Sequence, residues 1–218
     1  MIHPITIPPT TKAAIFDMDG TMIRNMAFHK KAWQEYLNRH GISLSEDEFR
    51  QKISGKKNDQ IFELVFGRKL NGDELQKYSN EKEAIYRELY APEIEEVEGL
   101  TELIEKLHEK NIKTAIATTA PAKNREFVLK ALGLEGKFEV ILGDEHVTFG
   151  KPHPEIYTAT ARALSVSPDE CIVFEDSPPG VESGKNAGMK VIGLLTSHNS
   201  EELSQADYLV DDFTQVNI

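Results

Sequence analysis

With a single cysteine among 218 residues, the chain has no means of forming an intrachain disulfide. That residue, Cys171, lies inside the apolar run Cys171-Ile172-Val173-Phe174, the setting of a buried structural thiol in a reducing compartment. Positive charge is scarce, with 25 Lys and Arg against 36 Asp and Glu and a net charge of −11. Such a chain repels phosphate backbones and anionic lipid, and no local basic patch offsets the repulsion. Nucleic-acid and membrane partners are therefore not expected. No apolar run approaches the roughly 18 residues of a membrane span. Residues 1–11 lack the basic segment and continuous apolar stretch of a secretory leader, so the expected location is the cytoplasm. Repeats and low-complexity tracts are also missing. What is there, 39% hydrophobic and 28% charged residues, is the composition of a soluble globular protein.

Short apolar runs recur along the chain, and each stops abruptly at polar residues. Ala13-Ala14-Ile15-Phe16 ends in Asp17-Met18-Asp19-Gly20. Residues 112–118 (IKTAIAT) end in hydroxyls, 138–142 (FEVIL) in Gly143-Asp144, 171–174 (CIVF) in Glu175-Asp176, and 191–195 (VIGLL) in Thr196-Ser197. Continuous runs of this length suit strands buried on both faces of a parallel sheet. Between them, Leu100, Leu103, Ile104 and Leu107 repeat at helical spacing, as do Phe127, Val128, Ala131 and Leu132, and then Ile156, Ala159, Ala163 and Leu164. The alternation predicts an α/β fold with a doubly wound, Rossmann-like parallel sheet, whose ligands gather at the carboxyl ends of the strands.

Residues 25–92 break the alternation. Ala32, Trp33, Tyr36 and Leu37 form one helical face; Ile61, Phe62, Leu64, Val65 and Phe66 belong to another helix; Leu75, Tyr78, Ile85, Leu89 and Tyr90 continue the pattern. The expected organisation is an α/β core from residues 1–24 and 93–218, carrying an inserted α-helical cap from 25–92.

Four polar clusters fall at the predicted strand ends. Asp17 and Asp19 are close enough to repel, which favours a bound cation or a raised pKa; one carboxylate can attack phosphorus while the other moves a proton. A solvated Asp-Gly turn is the plainer alternative for these residues alone. Thr118-Thr119, ahead of a helix start, offers a hydroxyl and backbone N–H groups to a phosphate, or simply caps the helix. Lys151, in Gly150-Lys151-Pro152-His153-Pro154, sits on backbone that its prolines hold extended, and could neutralise a phosphoryl group and an aspartate together. Glu175-Asp176 supplies hard oxygen ligands suited to Mg2+, or complements the dipole of the following helix. Together they supply a nucleophile, an acid/base, a hydroxyl, a cation and metal ligands, the parts that phosphoryl transfer requires.

In this order, Asp17-Met18-Asp19-Gly20-Thr21, Thr118, Lys151 and Glu175-Asp176, the chain resembles the haloacid dehalogenase superfamily over nearly its whole length. The resemblance implies Asp17 as nucleophile and Mg2+ ligand, and Asp19 as acid/base with its carbonyl on the metal. It implies that Thr118 and Lys151 bind the transferring phosphoryl group, with Asp176 on the metal and Glu175 ligating it or orienting its water. Within the superfamily the chain looks most like the β-phosphoglucomutase-type branch with a small helical cap. His29-x-x-x-Trp33, Gly55, Lys82 with Tyr86, and Ser177-Pro178-Pro179-Gly180-Val181 carry that likeness. Thr119, His29, Trp33, Gly55, Lys56, Lys57, Asn58 and Lys82 are the implied substrate contacts. One position departs: the mutase has an arginine three residues after the Gly55 position to grip a second phosphate, and here it is Asn58. An amide does not replace a guanidinium fork, although Lys56 or Lys57 could compensate.

The expected function is a Mg2+-dependent phosphohydrolase acting on a small phosphorylated metabolite, a sugar phosphate by preference, through a phospho-aspartate. A β-phosphoglucomutase is the alternative. A phospho-aspartate signalling receiver also uses acidic residues, a Thr and a Lys at strand ends, but the two aspartates within one turn, the late acidic pair and the long insert count against it. A non-catalytic binding module would lack one of the catalytic positions, and none is lacking. The expected partner is a small-molecule substrate, and the expected state is a monomer.

Overall fold

The computed structural model describes residues 4–53 and 58–218. The first short strand, β1 (Ile5–Thr6), is followed by β2 (Ala13–Phe16), every residue of which is buried. Four helices follow: α1 (Met26–Arg39), α2 (Glu46–Lys52), α3 (Asn58–Phe66) and α4 (Gly72–Tyr90). The alternation then resumes with α5 (Leu100–Glu109), β3 (Lys113–Ala117), α6 (Ala122–Leu132) and β4 (Val140–Leu142). It continues with α7 (Glu155–Leu164), β5 (Cys171–Glu175), α8 (Pro178–Asn186), β6 (Lys190–Leu194), β7 (Tyr208–Val210) and β8 (Val216–Asn217).

Six of these strands form one parallel sheet in the order β4-β3-β2-β5-β6-β7, while β1 pairs separately with β8. The chain starts in the middle at β2, runs outward through β3 and β4, then returns to β5 on the other side of β2. That reversal is the topological switch point, where side chains at the strand ends splay apart and leave room for a ligand. The five apolar runs of the sequence became β2 to β6, in an α/β fold with a Rossmann-like sheet. Side chains alternate between the faces of a strand. Ala13, Ile15, Ala115, Ala117, Val173 and Val191 pack with Ile156, Tyr157 and Ala161 of α7 and Val181 of α8. Phe16 and Phe174 point the other way and stack at 4.7 Å, joined by Phe213 and Phe138. Each fully buried Val, Ile or Phe among them stabilises the fold by roughly 1.5–3 kcal/mol, and each alanine by less.

Three details differ from the sequence expectation. The FEVIL run yields a strand only from Val140, because the Glu139 carboxylate turns back to accept the Thr114 N–H at 2.7 Å while Phe138 packs edge-on against Phe16. The edge strand β7 and the β1–β8 pair were not foreseen, being only two or three residues long. Leu64 lies on α3 but is 46% exposed, since at helical spacing it falls off the stripe that buries Ile61 and Phe62.

The chain divides into two compact units, one comprising Met1–Met26 with Ile94–Ile218 and the other Ala27–Glu93. The second unit is wholly helical among its described residues. Capping boxes start two of its helices: Ser45 with Glu48 at α2, and Asn71 with Glu74 at α4. Its interior is aromatic, with Trp33, Tyr36 and Phe62 packed ring against ring at 5.1–5.7 Å.

Candidate active site

Backbone pairing that runs one residue past the strands fixes the candidate residues. The Asp17 N–H donates to the Phe174 carbonyl at 3.0 Å, so Asp17 stays in register with β5 although β2 has ended. In the same way the Thr118 N–H donates to the Leu142 carbonyl at 3.1 Å. Glu175 is the last residue of β5, and Asp176 is next, ahead of α8. Lys151 comes from the loop between β4 and α7.

These residues meet in one buried cluster. Lys151 Nζ donates to Asp17 Oδ1 at 2.6 Å, to Glu175 Oε1 at 2.6 Å and to the Ala117 carbonyl at 3.2 Å. Its side chain is only 8% exposed, so the lysine is an internal cation rather than a solubilising one. Glu175 is held on every side. Its Oε1 also accepts the Tyr157 hydroxyl at 2.7 Å, and its Oε2 accepts the Asp176 N–H, the Ser177 N–H and the Ser177 hydroxyl. Thr21 Oγ1 donates to Asp176 Oδ1 at 3.3 Å. Asp19, half-buried, accepts from Asn25 Nδ2 at 2.7 Å, and the Asn25 side-chain oxygen takes the Gly20 N–H at 3.1 Å. Gly20 has φ +79°, and a Cβ there would lie 2.1 Å from Asp176 Oδ2, so both backbone and space require glycine.

Oxygens of Asp17, Glu175 and Asp176 lie within 4.8 Å of one another. Three buried carboxylates against one ammonium leave an excess of negative charge. Burial pushes Asp17 well above the usual carboxylate range; Lys151 pulls it back, and Glu175 and Asp176 raise it further. Burial and Glu175 push Asp176 up to about 7, against the Ser197 hydroxyl, Lys151 and His198. Burial alone would discharge Lys151, but Asp17 and Glu175 overcome it and hold the ammonium charged. An all-oxygen donor set that is destabilised when ionised fits a hard divalent cation, which would keep the carboxylates charged.

Thr118 is buried, and its Oγ1 accepts the Ala120 N–H at 3.1 Å, which turns its own proton toward another acceptor. Thr119 is exposed. In the helical unit, four of the expected contacts come together. Lys82 Nζ lies 3.1 Å from His29 Nδ1 and 5.4 Å from the Trp33 ring, while His29 stacks on Tyr86 at 4.1 Å. Lys82 also donates to Glu83 at 2.9 Å, and Asn58 donates to the same Glu83 oxygen at 3.1 Å. Gly55, Lys56 and Lys57 lie outside the described residues. Sequence reasoning missed Tyr157, Asn25 and Glu83. Only the requirement that a buried hydroxyl, amide or carboxylate find a partner could have flagged them.

A family model of the haloacid dehalogenase-like hydrolases matches residues 14–194. A validoxylamine A 7'-phosphate phosphatase from Streptomyces hygroscopicus subsp. limoneus is 31% identical, over 94% of this chain and 95% of its own. A phosphorylated carbohydrates phosphatase from Thermotoga maritima is 32% identical over 86% and 87%. Among solved structures, a family IA, variant 3 hydrolase from Entamoeba histolytica superposes with a TM-score of 0.86 at 32% identity, covering 95% of this chain and 96% of its own.

Proposed function

The chain belongs to the haloacid dehalogenase-like hydrolases, and from that membership we propose that it is a Mg2+-dependent phosphatase of small phosphorylated carbohydrates, working through phospho-Asp17. The observation that carries this reading is the convergence of Asp17, Lys151, Glu175 and Asp176 into one buried cluster at the ends of the central strands.

Asp17 attacks the phosphorus of the substrate. The bond from phosphorus to the leaving oxygen breaks as an Asp17–phosphorus bond forms, and Asp19 gives its proton to that oxygen. Asp19, now ionised and held by Asn25, takes a proton from water, whose oxygen attacks the phosphoryl group and returns Asp17 to a carboxylate. Lys151 balances charge on Asp17 and the phosphoryl oxygens, and the Thr118 hydroxyl donates to one of those oxygens. Glu175 holds Lys151 through Oε1. Asp17, Asp176 and Glu175 would hold Mg2+, which supplies electrostatic neutralisation between nucleophile and phosphate.

Thr119, His29, Trp33, Asn58 and Lys82, with Gly55, Lys56 and Lys57, are proposed to contact the substrate. Hydrolysis is favoured over mutase chemistry because Asn58 stands where the mutase's arginine would be, and its amide is already engaged by Glu83. The test is Mg2+-dependent phosphate release across sugar phosphates, nucleotides and pyrophosphate, with Asp17→Asn as the blank. Release lost with EDTA and in the variant is expected. Glucose 6-phosphate formed from β-glucose 1-phosphate without free phosphate would instead establish the mutase.

A further inference from the structure

Arg125, on the first turns of α6, is a buried guanidinium with side-chain exposure of 8%. A cation in that position needs acceptors, and the structure supplies them from two loops. Nη1 donates to the Ala120 carbonyl at 2.7 Å and to Glu145 Oε2 at 3.1 Å, while Nη2 closes the fork on Glu145 Oε1. The fork lies over Gly143, where a Cβ would come within 1.9 Å of Nη1, so the absence of a side chain there makes room for it. Arg125 in turn holds the Glu145 carboxyl below its ordinary value.

The two loops it joins are those that carry Thr118 and Lys151. Ala120, gripped through its carbonyl, gives its N–H to Thr118 Oγ1. Glu145 stands at the start of the segment leading to Lys151, and Lys151 touches β3 through the Ala117 carbonyl. We propose that Arg125, clamped by Glu145, is a positioning residue that sets Thr118 and Lys151 in register for the phosphoryl group, acting through Ala120 rather than by touching substrate. The proposal rests on the phosphatase reading for its consequence, but the brace itself belongs to the fold.

Lysine keeps the charge but cannot serve the Ala120 carbonyl and both Glu145 oxygens from one flat fork. Arg125→Lys is therefore expected to lower kcat on 4-nitrophenyl phosphate about tenfold with KM changed less than about twofold, because slight misplacement is felt in the transition state. Glu145→Gln is expected to act in the same direction more weakly, and the double variant to be no worse than Arg125→Lys alone. Melting temperatures establish that each variant is folded, and amide exchange mass spectrometry of the peptide covering Ala120 reads the brace without reference to turnover. Faster exchange there, with the kcat loss, supports the proposal. Wild-type kcat in Arg125→Lys, or independent additive effects of the two substitutions, overturns it. A wild-type protein that releases no phosphate would refute the phosphatase reading instead; unchanged exchange in Arg125→Lys would then refute the brace as well, and faster exchange would sustain it.

Discussion

At the scale of single residues, the site is an electrostatic problem whose pivot is Lys151. Two buried carboxylates, Asp17 and Glu175, each lie 2.6 Å from its ammonium. Removing one member of a buried ion pair leaves uncompensated charge and typically destabilises by about 3–5 kcal/mol. Lys151→Met, close in volume, should thus lower stability by that order in denaturant titrations of the metal-free protein. Its phosphate release should fall by about 10²–10³, as when one preorganised charge donor is taken from an active site. Retained activity would mean that Lys151 is a structural cation only. Asp17, Asp19, Thr118, Glu175 and Asp176 were legible because they close apolar runs, and Lys151 because prolines at 152 and 154 mark out its loop. Tyr157 and Asn25 were not, since a helix-borne phenol and a loop amide give no periodic or spacing signal before the fold brings their partners near.

Among the elements, the continuous apolar runs translated into strands because a parallel strand covered on both faces admits little else. Strand β7, only three residues long, is too short to stand out as an apolar run, and an ion-pair cluster adjoins its start. Asp207, just before it, accepts from Lys185 of α8 at 2.7 Å, from Lys190 of β6 at 2.9 Å and from the Val191 N–H at 2.9 Å. Partial burial works against ionisation there, but the two lysines and the amide outweigh it and hold the carboxyl down to about 2. The folded pKa lies below the unfolded value, so this stabilisation is complete above about pH 4 and is lost as pH falls toward 2. It is worth about 1–2 kcal/mol. Urea midpoints for Asp207→Asn should fall below wild type at pH 7, and the gap should shrink as pH drops below about 4 and close only at or below about pH 2. A gap that persists at low pH would assign the effect to packing. The helical unit was likewise legible as helices, whereas the Asn58–Glu83–Lys82–His29 chain of contacts was not. It joins helices whose mutual arrangement no sequence spacing encodes.

For the molecule as a whole, a net charge of −11 and a buried acidic centre point the same way. The metal-free protein holds Asp17 and Asp176 in an environment that resists their ionisation, and a cation that binds the folded state alone stabilises it by mass action. Saturating Mg2+ should raise the melting temperature by several degrees over an ionic-strength-matched sodium control, and by much less in Asp176→Asn. An equal shift in the variant would indicate general screening of the surface charge. No helix among the described residues is long and apolar enough to cross a membrane.

In the proposed mechanism Asp17 carries the phosphoryl group and Asp19 manages the proton. Asp19→Asn separates the two roles when the substrate is 4-nitrophenyl phosphate, whose leaving group departs without a proton. In rapid mixing with Mg2+, this variant is predicted to release nitrophenolate in a burst stoichiometric with enzyme and then stall, with phosphate found on the peptide containing Asp17. Steady turnover at the wild-type rate with no burst, or a phosphoryl group on any other residue, would contradict it.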